Sequence, residues 1–219
     1  MNHFFIRLLN IMLGLILYAL GIIISIKANI GYAPWEVFHV GLANTTGLSL
    51  GVATIIVGIL IVIILTAMKE KLGLGTISSM LFTGIFMDII LALDVIPLSN
   101  NTIIGIGMLI SGLFIISIGT YFYIKSAFGV GPRDNLMVVL SRRTKIPVGI
   151  CRCIVELVVT VIGWLLGGMV GIGTVISVIA IGFCVQLTFK VFKFNVTSVR
   201  HESIKDTYTA FVDKKNKEV

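Results

Sequence analysis

Two related stretches carry most of the chemistry available to this chain. In one, Lys27, Gly31 and Pro34 lead to Trp35 and Glu36; in the other, Lys125, Gly129 and Pro132 lead to Arg133 and Asp134. Glycine ends a helix, because it tolerates backbone angles that other residues avoid. Proline suits the first turn of a new helix, and an acid there suits the positive N-terminal end. Each stretch therefore predicts a helix, a break and a short Pro-led half-helix, at 34–47 and 132–145. Free N–H groups at such ends can hold an anionic group, and Arg133 adds a planar fork suited to carboxylate or phosphate. Pro34, Trp35, Glu36, Pro132, Arg133 and Asp134 are thus candidate substrate-binding residues. The blander alternative is a pair of flat interfacial helices, with Trp35 as anchor and Glu36 and Asp134 as caps.

Arg152 and Glu156 complete that set. They stand four residues apart in an apolar run, share a helix face and can pair. Glu156 lies about 12 Å into the run, at a depth where an ionisable group is costly unless paired or facing a polar cavity. Glu156 is also a candidate for ion or proton coupling, as is Asp88 near the end of another run; a plain structural ion pair is the competing account.

The elements that must position these groups are membrane helices. Of the 219 residues, 57% are hydrophobic and 12% charged, with a mean hydropathy of +1.08. A soluble domain carries about twice that charge, so a soluble enzyme, a nucleic-acid-binding domain and a disordered chain are excluded. Six segments, at 8–26, 52–68, 74–93, 103–124, 148–166 and 172–189, reach the roughly 20 apolar residues a span needs. With those spans, fifteen of the seventeen Lys and Arg fall on one side, leaving Lys27 opposite and Arg152 within a span. Positive loops stay cytoplasmic, which predicts cytoplasmic N- and C-termini. Cys151, Cys153 and Cys184 all lie within spans and read as small packing residues. The spacing of Gly163, Gly167 and Gly171 reads as close helix packing.

The chain also repeats itself. Offset by 98 residues, 19 of the 77 positions from Gly14 to Ile90 are identical, including Gly14/Gly112, Gly21/Gly119, Gly31/Gly129, Pro34/Pro132, Gly51/Gly149, Gly75/Gly173 and Gly84/Gly182. Such self-similarity marks a duplicated unit. Each unit holds three spans, an odd number, so the second enters the membrane from the opposite side. The expected fold is all-α and polytopic: six transmembrane helices as 3+3 inverted-topology repeats with two half-helices. Its divisions are repeat one at 1–98, repeat two at 99–192 and a basic cytoplasmic tail at 193–219.

The run from Gly129 to Thr144, with Gly149, Arg152 and Glu156, and then Gly167 to Thr174, resembles the YczE-like family of bacterial integral membrane proteins, grouped loosely with YitT-type proteins. Gly31 to Trp35 and Gly47 to Gly51 share the likeness. The resemblance implies a bacterial inner-membrane protein and carries no defined activity. Inverted repeats with Gly/Pro-interrupted segments are common in secondary transporters. The expected function is therefore a small-solute permease or exporter using alternating access, with an anionic or zwitterionic organic substrate. An accessory or regulatory membrane protein that transports nothing is one alternative. A substrate-capture subunit of a larger importer, which would add a partner subunit, is another; a homo-oligomer is compatible with either. No enzyme, cofactor, metal-ligand or nucleic-acid motif is present in the sequence. The expected partners are the lipid bilayer and a small solute.

Overall fold

The computed structural model describes residues 2–70 and 72–195, without the side chains of Asn2 and His3. Lys71 and most of the expected tail, from 196 onward, lie outside the described residues. Eight helices follow in order: α1 Asn2–Lys27, α2 Pro34–Thr46, α3 Leu50–Ala67, α4 Leu74–Leu93, α5 Thr102–Lys125, α6 Pro132–Thr144, α7 Val148–Leu165 and α8 Ile172–Val191. Six of them, all but α2 and α6, are long and apolar enough to cross a membrane. They match the six expected segments within a few residues at each end. Outward faces are rich in exposed Leu, Ile, Val and Phe. That is the surface expected where lipid rather than water is the solvent. The chain is a polytopic membrane protein.

The helices α1 and α5 form the central pair. A Cβ at Gly14 would lie 2.8 Å from the Gly119 carbonyl oxygen, and one at Gly21 would lie 2.6 Å from that of Gly112. As α1 advances from 14 to 21, the contact on α5 retreats from 119 to 112, so the two run antiparallel. The four glycines let the backbones touch, which replaces hydrophobic driving force with close packing inside a membrane.

Further contacts recur in pairs 98 residues apart, with the two halves exchanging roles. The break after α1 holds the start of α8, where Gly173 N–H donates to the Ile30 carbonyl at 2.7 Å. The break after α5 holds the start of α4 in the same way, Gly75 N–H donating to the Phe128 carbonyl at 2.7 Å. Gly31 and Gly129 both take left-handed angles, φ +108° and +128°, with Gly171 and Gly73 pressed against them, so only glycine fits. The half-helices cross over too: α2 packs on α7, and α6 on α3. Gly163 is a packing residue as expected, but its neighbour is Phe38 of α2. Gly167, at φ +90°, forms the turn after α7 with nothing against it.

The pairing stops at one place. The α3 and α4 helices pack together, whereas their counterparts α7 and α8 hardly touch. Gly51 and Gly84 are buried against each other's carbonyls, while Gly149 and Gly182 stand in open space.

Candidate functional site

The two half-helices start inside the bundle, and their first turns meet there. Proline at the first position and an extended residue before it, Ala33 or Gly131, set each start. Trp35 is buried among Val57, Ile61, Leu136 and Val159, so it is a packing residue of the interior rather than an interfacial anchor. Arg133, from the first turn of α6, reaches across to the first turn of α2. Its guanidinium donates to Glu36 Oε1 at 3.3 Å, lies 3.2 Å from the His39 ring nitrogens and covers the Trp35 ring at 5.0 Å. Arginine has no acceptor, so the imidazole nitrogen facing it must be unprotonated. Burial and the Arg133 charge also push His39 well below its ordinary pKa. His39 distinguished the two copies in the sequence, standing where Met137 stands in the other, but no motif marked it as a partner of Arg133.

One turn of α7 brings in the second pair. Arg152 Nε donates to Glu156 Oε1 at 2.7 Å, with Glu156 buried and the Arg152 side chain 47% exposed. Both arginines expected to capture an anion are therefore already held by carboxylates. Asp134 is not. It makes no hydrogen bond and no ion pair among the described residues. It lies within the bundle, yet its side chain is exposed.

What exposes it is a cavity of about 410 Å³, bordered by Pro132, Arg133, Asp134 and Arg152. Its remaining walls include Tyr18 of α1, Ser79 of α4, Tyr123 of α5 and Gln186 of α8. A smaller cavity of about 80 Å³ is bordered by Pro34, Trp35, Glu36 and Ser177, together with Arg133, Arg152 and Glu156. The two correspond under the 98-residue offset: Pro34 to Pro132, Trp35 to Arg133, Glu36 to Asp134 and Ser177 to Ser79. All eight expected substrate-binding residues thus border one cavity or the other. Tyr18 and Tyr123 were not anticipated. The available signal was a hydroxyl within an otherwise aliphatic run, too weak to single out.

Asp88 sits apart from both cavities. Its Oδ1 accepts from Gly51 N–H at 2.7 Å and its Oδ2 from the Ser49 hydroxyl at 2.5 Å. It ties the end of α4 to the start of α3, where a carboxylate also suits the helix dipole.

A family model described as a family of unknown function (DUF6198) matches residues 5–190. A protein of Haemophilus influenzae, called an uncharacterized protein, is 31% identical over 80% of this chain and 81% of its own length. The uncharacterized membrane protein YczE of Bacillus subtilis is also 31% identical, over the same shares. Another Bacillus subtilis protein, YyaS, is 28% identical over 76% of this chain and 84% of its own. No solved structure matches.

Proposed function

We propose that this chain, which belongs to the DUF6198 family, is a small-solute permease or exporter that works by alternating access. The observation that carries the reading is the unequal closure of two corresponding ends. In the first half, Glu36, Gly51, Thr54 and Gly84 are buried and Asp88 is half-buried. Their counterparts Asp134, Gly149, Arg152, Gly182 and Gln186 are all exposed. The α3 and α4 helices are packed together where α7 and α8 are parted, and the larger cavity lies beside the parted pair. A pair of halves related by inverted topology, 1–98 and 99–192, supports an exchange of these two states, as in other transporters with broken helices at the repeat interface. The antiparallel α1–α5 pair and the exchanged contacts at 30/173 and 128/75 support that inversion.

The open end carries Arg142, Arg143, Lys145 and Lys190. By the bias of positive charge toward the cytoplasm, this state opens inward in a bacterial inner membrane, with both termini inside. Energy comes from a solute or ion gradient, and no catalytic step is involved. The test is uptake by proteoliposomes of labelled organic anions, zwitterions and cations. The wild type moves at least one class. Glu156→Gln, and the paired change Arg133→Met with Glu36→Met, abolish that movement in protein of normal yield. A panel that stays outside, or flux unaltered in both variants, refutes the reading.

A further inference from the structure

The larger cavity has one charged wall, Asp134, that makes no hydrogen bond or ion pair among the described residues. Arg133, Asp134 and Arg152 border the cavity, and Glu36 and Glu156, the carboxylates that pair with the two arginines, border the smaller cavity. The first pair, Arg133 with Glu36, and the second, Arg152 with Glu156, are each closed. Asp134 remains, facing the cavity from the first turn of α6. The positive end of that helix favours the ionised carboxylate. The charges of Arg152 and Arg133 act on it, but neither bonds it, so its oxygens stay open to an N–H donor from the cavity.

A second group points to the same spot. The Tyr123 hydroxyl lines the cavity and is buried (6% residue exposure), with at most a long contact to the Ser79 hydroxyl and no other hydrogen bond among the described residues. Buried hydroxyls are rarely left unpaired without a reason. The gap between them is visible at Gly131, where an added Cβ would stand 3.4 Å from Tyr123 Oη, 3.7 Å from Asp134 Oδ2 and 3.9 Å from Ser79 Oγ. Three oxygens converge on a space that a side chain at 131 would fill. All three can accept a hydrogen bond, and one carries the charge. Beyond them the cavity widens along apolar surface, including Leu15, Ile116, Ile124 and Phe189. A volume of about 410 Å³ falls within the range of small-molecule sites.

We propose that this cavity binds an organic ammonium: an N–H-bearing cationic head seated among Asp134, Tyr123 and Ser79, with an apolar body along the α1, α5 and α8 walls. The proposal rests on reading this cavity as the solute site. It moves the expected substrate from anions toward amines and the ammonium end of zwitterions. A free anion would meet two arginines whose charges Glu36 and Glu156 already offset.

Three probes of one shape and different charge test it: benzylammonium, benzyl alcohol and benzoate. Binding is measured by calorimetry on the full chain in a non-ionic detergent. Benzylammonium binds in the millimolar range or tighter, and the other two at least tenfold more weakly. Asp134→Asn loses benzylammonium binding by tenfold or more, Asp134→Glu keeps part of it, and Tyr123→Phe weakens it severalfold. Melting temperature and a single chromatographic peak establish that each variant is folded. Benzoate preferred over benzylammonium overturns the proposal, as does no benzylammonium binding, or equal binding by folded Asp134→Asn. Because the readout is binding, the transport reading stands or falls separately. Binding with no movement into vesicles removes transport and leaves this site, whereas flux indifferent to Asp134 removes this site and leaves transport.

Discussion

Arg133 owes its geometry to groups on another helix, and the energetics follow from that. Its pair with Glu36 is largely withdrawn from solvent, the side chains 19% and 10% exposed. Breaking one partner of such a pair leaves an uncompensated charge and costs about 3–5 kcal/mol, whereas replacing both by apolar groups is often neutral. Arg133→Met alone therefore lowers the melting temperature sharply in detergent, and adding Glu36→Met restores most of it. Equal melting of the single and double variants would show that the pair is not the main contact. The Arg152–Glu156 pair differs, since Arg152 is nearly half exposed and solvent screening reduces its worth. Glu156→Met, which leaves the half-exposed Arg152, changes melting far less than Glu36→Met, which leaves Arg133 enclosed. The sequence pointed to these residues through type and spacing, and the i,i+4 pair was legible because helix geometry alone puts both on one face. The bond from Arg133 to Glu36 was not, because it joins residues 97 positions apart.

At the scale of elements, glycines and caps decide which helices can approach. Gly21 and Gly112 meet backbone to backbone, so Gly21→Leu must push α1 off α5, and that variant is recovered as aggregate on size exclusion. Gly107, on the same α5, has nothing within 4 Å of an added Cβ, and Gly107→Ala is recovered like the wild type. Loss of both variants alike would place the close approach elsewhere. Asp88 acts on an element as well, through its two bonds at the α3 start. Hydrogen bonds to a charged group are worth about 1.5–3 kcal/mol each, so Asp88→Ala destabilises by a few kcal/mol. Its counterpart change Gln186→Ala, on the open side, has little effect on melting. So bonded, Asp88 is a latch holding α4 on α3, and preserved solute flux in Asp88→Asn would leave it without a part in the cycle.

At the scale of the whole molecule, the two halves share local structure and differ in closure. Gln186 lines the large cavity and is exposed, so a thiol placed there (Gln186→Cys, with Cys151, Cys153 and Cys184 replaced by alanine) reacts readily with a membrane-impermeant maleimide. In oriented vesicles it reacts from the cytoplasmic face alone, and a transported solute that draws the protein into its other state slows the reaction. Reaction from the outer face would reverse the orientation, and a rate indifferent to every transported solute would argue against exchange of states.

Hydropathy, the positive loops and the 98-residue offset determined by themselves that this is a six-span chain of duplicated halves with two Pro-led breaks. Those properties are local or periodic: the length of an apolar run, the stiffness of proline and the freedom of glycine act wherever the residues stand. Tertiary structure alone decided that the half-helices cross between halves, that both arginines are held by carboxylates, and that Asp134 faces a cavity while Glu36 is buried. Corresponding residues with similar local preferences end in different surroundings because α3 and α4 pack together while α7 and α8 stand apart. Which end closes is a property of the packed molecule, and no single stretch of sequence contains it.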